Sequence, residues 1–599
     1  MKNKKYLILA ILLAGAVIRF YGISRGDPLN DEIFYGLRAI GPMDFDGAEA
    51  QTTPLEWLDP ARVERSCGGA NETQINARKL PESLEKKICA MKASGEYKGI
   101  PWWTKFSFHD HPPLVFWIQH VSVSLLGENN FGMRLPSALF GLASIYLLYL
   151  IARRLYGMNT ALIAAAFLAL TVNSIFVSRV GLQEVFVIFF MLLSSYFFLR
   201  ALEKINWLFL SAGALGLALL AKYTAIILIP IFLAYLMLKK RDYFRSWQLW
   251  VSIFITVFIL SPVIIYNIGL YRVAGHFDFQ LSYMLGGKPE VWPVQPGKEI
   301  GSIANRLREY LPNLRDANSW LFLSITFLGF IGFFKSLFKT SKETFTRHFF
   351  LIISTVFLAL FIIVIGPSYR FLSMFTPYFA LTAALVIAWL FKKIPANYKK
   401  LSLIIFGLII FFETAYSVNS QILYSPYLRE HWAFSSLRYE NYDWGYNELS
   451  DYLTAELRGK RPLVVFEPLY RFLEDKRDLA IIEGEKNGLE PVPVLIVYDA
   501  NIHAAGQIWV LDRLHIYHAW PVISTETYFA FLQKEGYDFF NRAGFKKFYY
   551  ISPVNVPLKP KAKLKELGPK FEEALKTKIE PTIIRNHSGS EAFRIYKFY

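Results

Sequence analysis

The sequence predicts a polytopic α-helical membrane protein that carries a soluble α/β domain at its C-terminus. Three observations predict this class. Hydrophobic residues make up 54% of the 599 residues, whereas charged residues make up only 19%, below the quarter that is typical of soluble proteins. Long apolar runs alternate with short basic linkers, as the positive-inside rule expects for membrane helices. Beyond about residue 419 the composition becomes that of a soluble domain.

The composition and the charge also exclude several classes of protein. Two cysteines exclude a disulfide scaffold, and the hydrophobic content excludes a disordered chain. The net charge is 65 − 48 = +17, but the lysines and arginines cluster in linkers between apolar runs. This pattern is typical of cytoplasmic membrane edges, and no nucleic-acid motif accompanies it. We therefore expect no nucleic-acid partner.

The first apolar run covers residues 6–21 and follows three lysines. It has no small-residue cleavage site, so we expect an uncleaved helix with a cytoplasmic N-terminus rather than a signal peptide. Ten further apolar runs suit helices that span a hydrocarbon core of roughly 30 Å. These runs are 134–152, 160–178, 184–200, 207–221, 224–238, 247–270, 319–334, 348–366, 371–391 and 401–418.

About eleven transmembrane helices place every basic linker in the cytoplasm and the C-terminal region outside. Residues 112–127 are also apolar, but they open with two prolines, and an extra span there would invert all later loops. We therefore predict an interfacial or re-entrant helix at this point.

Two domains follow from this pattern. Residues 1–420 are predicted to form the transmembrane domain, with a large first extracytoplasmic loop at about 25–131. Residues 421–599 are predicted to form an extracytoplasmic α/β domain. Its expected strands are the β-rich runs 462–466, 492–498, 508–511 and 548–551, and its expected helices include 446–457 and 525–540.

The two cysteines, Cys67 and Cys89, both lie in the first loop. They can pair only with each other within the chain, and the bond would close a loop of about 22 residues, worth roughly 3 kcal/mol. Two free thiols are the alternative. We expect the disulfide, because the loop is predicted to lie outside the cytoplasm.

Two adjacent carboxylates, Asp31 and Glu32, begin the first loop beside the membrane face. On a helix, neighbouring side chains point about 100° apart, so one can face a cavity while partners hold the other. An acceptor hydroxyl needs a general base when it attacks, and a carboxylate can serve. The alternative is a solvated helix N-terminus, where acidic residues are favoured by the helix dipole.

The same loop ends in His109-Asp110-His111 before the double proline. Consecutive side chains rarely converge on one ion, so we predict a positioning or phosphate-binding role for Asp110 and His111. Further cations lie at the predicted outer membrane edges, where charge is costly. Snorkelling explains any one of them, but together they indicate an anion site, since Arg and Lys stabilise a departing phosphate. The set is Arg134, Arg179, Lys222 and Arg370, with His276 as a further polar contributor.

These motifs occur in a specific order: Asn30-Asp31-Glu32, His111-Pro112-Pro113-Leu114, Arg134-Leu135-Pro136-Ser137-Ala138, Arg153-Arg154-Leu155-Tyr156-Gly157, Ser178-Arg179 with Glu184, and Leu219-Leu220-Ala221-Lys222-Tyr223-Thr224. Over roughly residues 1–420 the ordered set resembles the GT-C membrane glycosyltransferases of the protein O-mannosyltransferase kind (glycosyltransferase family 39). It is also similar to their relative that adds aminoarabinose to lipid A.

The resemblance implies a GT-C fold and an inverting transfer of sugar from a polyprenyl-phosphate donor to an acceptor hydroxyl outside the cytoplasm. It implies that Asp31 is the catalytic base and Glu32 its partner. Asp110 and His111 fall in the donor or metal region. A divalent metal stays open, with Asp110 and His276 as candidate ligands.

The sequence also departs from the family. Glu184 stands where many relatives have Asp, and Asp110 stands where the lipid A enzyme has Glu. The β-trefoil insert of eukaryotic mannosyltransferases has no counterpart here. The acceptor is therefore left as a protein, a lipid or a glycan.

Two other functions compete with this prediction. A transporter or flippase for lipid-linked sugars often shows internal repeats and charges at mid-membrane, whereas the polar clusters here are expected at one membrane face. A non-enzymatic assembly protein of the cell envelope would leave those clusters unexplained. The chain ends in Arg594-Ile595-Tyr596-Lys597-Phe598-Tyr599, which is no eukaryotic retention signal. We expect a multi-pass protein of a prokaryotic, including archaeal, cell membrane.

Overall fold

A computed structural model describes residues 2–45, 52–68, 80–287, 289–291, 301–337, 342–423, 427–435, 437, 443–502, 506–554 and 564–599. The chain divides into two compact units. The helical unit comprises Met1–Ser24, Lys105–Pro289 and Pro293–Asn441. The sheet unit comprises Arg25–Thr104, Glu290–Trp292 and Tyr442–Tyr599. Residues 25–104 therefore group with the C-terminal residues and not with the apolar helices that flank them in sequence.

The described part of the helical unit is built from α-helices. They are Lys2–Phe20, Leu114–Leu126, Asn130–Tyr156, Met158–Leu170, Val172–Arg179, Glu184–Ala201, Trp207–Ala221, Leu228–Lys239, Trp247–Ala274, Phe279–Met284, Ile303–Asp316, Trp320–Leu337, Lys342–Ile365, Tyr369–Leu372, Thr376–Lys393 and Lys399–Gln421. Short 3₁₀ helices occur at Tyr223–Ile227, Arg241–Arg245, Ser373–Phe375 and Ala396–Tyr398.

Six helices among the described residues are long and apolar enough to cross a membrane. They are Asn130–Tyr156, Glu184–Ala201, Trp247–Ala274, His348–Ile365, Tyr369–Lys393 and Ala396–Gln421. The number rises to seven if Met158–Leu170 and Val172–Arg179, which meet at a 57° bend, form one broken span. Several predicted spans correspond to shorter apolar helices, namely Trp207–Ala221, Tyr223–Lys239 and Trp320–Gly332. The helical class is confirmed, and the count of eleven stays a prediction.

The core of the helical unit lies around helix Met158–Leu170. Every residue of this helix from Thr160 to Leu170 is buried, and many of them are alanines whose small side chains let neighbouring helices approach closely. Helices Asn130–Tyr156, Thr376–Lys393 and Lys2–Phe20 pack against it. In contrast, only 17% of the apolar window of Trp247–Ala274 is buried, which suits a helix in contact with lipid.

In the part of the chain that the structure describes, the sheet unit combines short helices with seven strands. Its helices are Asn30–Ile40, Pro54–Trp57, Pro60–Cys67, Glu82–Ala93, Tyr446–Glu456, Arg471–Lys486, Arg513–His518, Thr525–Glu535, Phe539–Arg542 and Leu567–Lys576, with a π-helix at Gln507–Asp512. The 3₁₀ helix Trp102–Lys105 lies where the chain passes from this unit to the other. The strands are β1 (Lys460–Pro462), β2 (Glu490–Val492), β3 (Val494–Tyr498), β4 (Val522–Ser524), β5 (Lys547–Pro553), β6 (Thr582–Arg585) and β7 (Glu591–Phe598).

The larger sheet has five strands in the order β4-β3-β5-β7-β6, and β1 pairs with β2 separately. Strand β3 runs parallel to β4 and β5, with Val497 opposite Tyr550. Strand β7 is antiparallel to β5 and β6, with Tyr596 opposite Tyr550. Helix Thr525–Glu535 contributes Tyr528 and Leu532 to the core on this sheet.

Two predicted strands differ from the structure. The run 462–466 shares only Pro462 with strand β1, and residues 463–466 are not in a strand. The other prediction is wrong throughout. The run 508–511 lies in the π-helix Gln507–Asp512, and its four residues are all buried. A short, continuously apolar run is compatible with either a buried strand or a buried helix, because it has no periodicity to separate them. Tertiary packing decided this case.

Cys67 and Cys89 form a disulfide whose Cα atoms are 5.4 Å apart. The bond joins helix Pro60–Cys67 to helix Glu82–Ala93. These two helices flank residues 69–79, which lie outside the described residues. Helix Pro60–Cys67 is also tied to the C-terminal part of the sheet unit, because its N-cap Asp59 accepts a hydrogen bond from the backbone N–H of Phe472 at 3.2 Å.

Asp27 makes a second link of this kind. Its buried carboxylate accepts the backbone N–H groups of Trp444, Gly445 and Asn447 at 2.5, 3.1 and 3.1 Å. These donors begin helix Tyr446–Glu456, and helix N-termini leave such groups without partners inside the helix. A residue from the first loop therefore caps a helix more than 400 positions later.

We expect Asp27→Ala to lower the free energy of unfolding by about 1–2 kcal/mol, the usual cost of losing a helix cap. Amide hydrogen exchange should also accelerate in the first turn of Tyr446–Glu456. Thermal unfolding and exchange mass spectrometry measure the two effects. The control is Asp475→Ala, an exposed position in the same unit, and equal behaviour of the two variants would contradict the capping role.

Candidate functional site

A buried ion cluster lies in the helical unit. Glu184 begins helix Glu184–Ala201, Lys222 directly follows helix Trp207–Ala221, and Arg370 lies in helix Tyr369–Leu372. Glu184 Oε1 accepts hydrogen bonds from Lys222 Nζ at 2.6 Å and from Arg370 Nε at 2.8 Å. Glu184 Oε2 accepts a further bond from Arg370 Nη2 at 3.2 Å.

The cluster carries two positive charges and one negative charge in a dry environment. Glu184 is 1% exposed and Lys222 is 3% exposed, while about a fifth of the Arg370 side chain is exposed. Charges removed from water are stable only when they are paired and hydrogen-bonded. Lys and Arg donate charge-assisted hydrogen bonds to anions, and part of the Arg370 side chain is accessible, so this position is suited to an anion such as a phosphate.

Arg179 has a different environment from the one that the sequence suggested. Its Nη1 donates to the backbone oxygens of Ile18 and Tyr21, both at 2.8 Å, and its Nη2 donates to the oxygen of Gly22 at 3.3 Å. These oxygens belong to the end of helix Lys2–Phe20 and the turn after it. The structure thus brings Lys222 and Arg370 together on Glu184 and directs Arg179 to a helix C-terminus.

Arg134 is buried beside the same turn, where its Nη1 donates to the oxygen of Ile23 at 3.0 Å. Arg19, which is not among the residues predicted for the site, binds the end of a different helix. It is fully buried and donates to the oxygens of Ala169 and Leu168 at 2.8 and 3.1 Å, at the end of helix Met158–Leu170. Three arginines therefore satisfy backbone oxygens at the end of a helix or in the turn that follows it.

Asp110 and His111 lie next to each other, with Asp110 Oδ2 3.0 Å from His111 Nδ1. The preceding residue, His109, accepts a hydrogen bond through its backbone oxygen from the N–H of Phe279 at 2.6 Å. This contact joins the segment around residue 110 to the segment around residue 278. His276 Nδ1 lies 2.7 Å from the oxygen of Phe277, and burial lowers the pKa of this imidazole.

Asp278 is a polar residue of this region that the sequence analysis missed. Its buried Oδ2 accepts hydrogen bonds from the Tyr223 hydroxyl at 2.5 Å and the Asn267 amide at 2.7 Å. Burial raises the pKa of Asp278 to about 6, and the charge of Asp110 acts in the same direction. The sequence showed one acid in a loop, with no pattern that pointed to its two partners.

No three His, Cys, Asp or Glu side chains within the described ranges come together as a metal site. Asp110 and His276 therefore remain candidate ligands without a described third ligand, and we derive no chemical step through a metal.

Asp31 and Glu32 lie in the sheet unit, in the first turn of helix Asn30–Ile40. Glu32 is fully buried, and its Oε2 accepts the backbone N–H of Leu29 at 3.0 Å. Glu32 therefore stabilises the start of the helix. Asp31 is exposed on the same turn. The two adjacent carboxylates have different environments, as the 100° between neighbouring helical positions predicts.

The helices define a multi-pass membrane protein, and they hold the buried cluster of Glu184, Lys222 and Arg370. Residues 110–266 match the family described as dolichyl-phosphate-mannose-protein mannosyltransferase. The matched segment contains Glu184 and Lys222 and ends before Arg370. Within residues 110–266, this match confirms the resemblance to the protein mannosyltransferases that the ordered motifs predict.

Individual relatives are similar to this chain over part of its length. The "Putative mannosyltransferase YycA" of Bacillus subtilis is 33% identical over 135 residues, which are 22% of this chain and 20% of that protein. The polyprenol-phosphate-mannose–protein mannosyltransferase of Corynebacterium glutamicum is 26% identical over 148 residues, covering 20% of this chain and 28% of that protein. The chain thus spans between a fifth and a third of the length of these relatives.

Among solved structures, ArnT from Cupriavidus metallidurans bound to undecaprenyl phosphate aligns over 99% of this chain and 98% of that chain. The identity is 14% and the TM-score is 0.46.

We expect Glu184→Gln to lower the free energy of unfolding by about 3–5 kcal/mol, since it removes the carboxylate charge that pairs with the buried Lys222 and the partly exposed Arg370. Thermal unfolding in detergent micelles measures the change. The matched control is Glu203→Gln, because Glu203 also pairs with an arginine, Arg154, but its side chain is 73% exposed. An unchanged melting temperature for Glu184→Gln would show that the cluster does not depend on this carboxylate.

Proposed function

We propose that the protein is an inverting glycosyltransferase that moves a sugar from a polyprenyl-phosphate donor to an acceptor hydroxyl on the extracytoplasmic side of the membrane. The observation that carries this proposal is the buried Glu184–Lys222–Arg370 cluster. Glu184 and Lys222 lie inside the segment that matches the mannosyltransferase family. The carrier in this proposal is dolichyl or undecaprenyl phosphate. Its phosphate is an anion that lysine and arginine side chains bind.

Lys222 and Arg370 meet the charge that develops on the leaving phosphate. As the bond between the sugar C1 and the phosphate oxygen breaks, the electron pair goes to that oxygen. Cations already held in place by Glu184 stabilise it without reorganising. Lys and Arg both donate charge-assisted hydrogen bonds to phosphate oxygens, so the pair is chemically suited to this anion. Glu184 itself sets the geometry of the two cations.

Asp31 is the proposed general base. An acceptor hydroxyl is a weak nucleophile at neutral pH, so a carboxylate that takes its proton as the new C1–O bond forms accelerates the reaction. Attack opposite the leaving phosphate in one displacement inverts the configuration at C1. Exposure of Asp31 supports this role, because the acceptor must reach it from water. Glu32 maintains the helix turn that presents Asp31.

The acceptor in this proposal is a protein hydroxyl, by analogy with the name of the Corynebacterium glutamicum relative. Asp110, His111 and His276 are proposed to contribute to donor binding. Arg134 and Arg179 act indirectly, since they hold the turn after helix Lys2–Phe20.

We expect Asp31→Asn to slow turnover by about 10² to 10⁴ while donor binding is retained, because only the base is removed. Lys222→Met should instead weaken donor binding. The assay uses the full chain in nanodiscs with labelled undecaprenyl-phosphate mannose and records lipid-phosphate release and binding separately. Asp242→Asn and Lys204→Met are matched controls at exposed positions.

Full turnover by Asp31→Asn would remove Asp31 as the base. Loss of donor binding in that variant would recast it as a structural residue. Donor binding that survives Lys222→Met at full strength would remove the cluster as the phosphate site.

The proposed topology has eleven spans, a cytoplasmic N-terminus and an extracytoplasmic C-terminal region. We expect a reporter that is active only in the cytoplasm to be silent when it is fused after Tyr599. The same reporter fused after Arg154, in a basic linker predicted to be cytoplasmic, should be active. Activity of the reporter at Tyr599 would mean that the number of spans is even and not eleven.

A further inference from the structure

The helix that carries Asp31 is almost entirely embedded in the sheet unit. Along residues 31–40, Asp31 is the one exposed position, while Phe34 and Ile40 are half-buried and the rest are buried. Its inner face packs against the π-helix Gln507–Asp512. The direction of the Asp31 side chain is therefore set by the position of the whole helix and not by contacts at its tip alone.

The C-terminal end of this helix is held by Tyr517. The Tyr517 hydroxyl donates a hydrogen bond to the backbone oxygen of Leu37 at 2.8 Å. Leu37 is fully buried, and its oxygen is among the last four of the helix, which find no partner inside the helix. Tyr517 thus satisfies a buried acceptor from a position 480 residues later in the chain.

Gly41 makes room for the Tyr517 ring. A Cβ atom at Gly41 would lie 2.6 Å from Tyr517 Cε1, far closer than atoms that are not bonded approach. The ring is anchored in turn by an apolar cluster that includes Met43, Phe45 and Ile516. The hydroxyl therefore meets Leu37 from a fixed direction.

We propose that Tyr517 is a positioning residue for Asp31. In this proposal the C-terminal residues contribute to the reaction because they fix the position of helix Asn30–Ile40. This inference rests on the proposed function of Asp31 as the base. Leu37 is six positions from Asp31, which is about 9 Å along a helix axis. A tilt of roughly 6° about that end moves Asp31 by about 1 Å, and a misplacement of this size can cost as much as 10²-fold in rate.

The first experiment uses the full chain with Tyr517→Phe, which keeps the ring and removes the hydroxyl. We expect kcat for release of lipid phosphate from undecaprenyl-phosphate mannose to fall about tenfold, with KM for the donor unchanged. Amide exchange of residues 37–41 should accelerate. Tyr537→Phe is the control, because Tyr537 is 91% exposed in the same unit. Wild-type kcat and exchange in Tyr517→Phe would overturn the proposal.

Gly41→Ala tests the same contact from the other side. The added methyl group displaces the Tyr517 ring, so this variant should show the same loss of kcat. In combination with Tyr517→Phe the loss should be less than the product of the two single effects. Independent, fully multiplicative effects would show that Gly41 and Tyr517 do not act through one contact.

A double-mutant cycle with Asp31→Asn separates this inference from the proposed function. If Tyr517 acts through Asp31, Tyr517→Phe adds no further loss once Asp31 is already Asn. A further tenfold loss in the double variant would mean that Tyr517 acts elsewhere. Full activity of Asp31→Asn alone would overturn the base itself, whereas a slow Asp31→Asn with a wild-type Tyr517→Phe would overturn only the positioning role.

Discussion

A charge that is buried away from water must be met by another charge that is fixed in place, and Glu184 is where this constraint acts in the helical unit. The carboxylate orders Lys222 and Arg370, which come from chain segments about 40 and 190 residues away. The attraction holds three helices at one point. The same contact fixes a lysine and an arginine at one point, and these are the side chains that proteins use to bind phosphate groups.

Buried backbone oxygens at helix ends also need partners that are fixed in place. Helices that end inside a dry interior leave their last carbonyl groups without donors, and each unsatisfied group is costly. Arg19 meets the end of helix Met158–Leu170. Arg179 meets the end of helix Lys2–Phe20 and, together with Arg134, the turn that follows it. Arginine suits this task because its guanidinium offers several donors in a fixed plane. The 57° bend after Leu170 is supported in this way.

In the sheet unit, hydrogen bonds between distant parts of the chain serve the same purpose. Asp27 accepts hydrogen bonds at the start of helix Tyr446–Glu456, and Tyr517 donates one at the end of helix Asn30–Ile40. The first loop and the C-terminal residues therefore each supply partners for a helix terminus of the other. Each segment alone would leave buried polar groups without partners. This exchange explains why residues 25–104 group with the C-terminal residues, although a boundary near residue 420 separates them in sequence.

The sequence by itself determined the helical membrane class, the ordered motifs and approximate helix bounds, such as 184–200 against the observed Glu184–Ala201. Hydropathy and local periodicity carry that information. The tertiary structure decided which charges meet: it joined Arg370 to Glu184, turned Arg179 towards a helix end and paired Asp278 with Tyr223. Local sequence cannot decide such pairs, because a buried polar group's partner is set by which segments the packed core brings together.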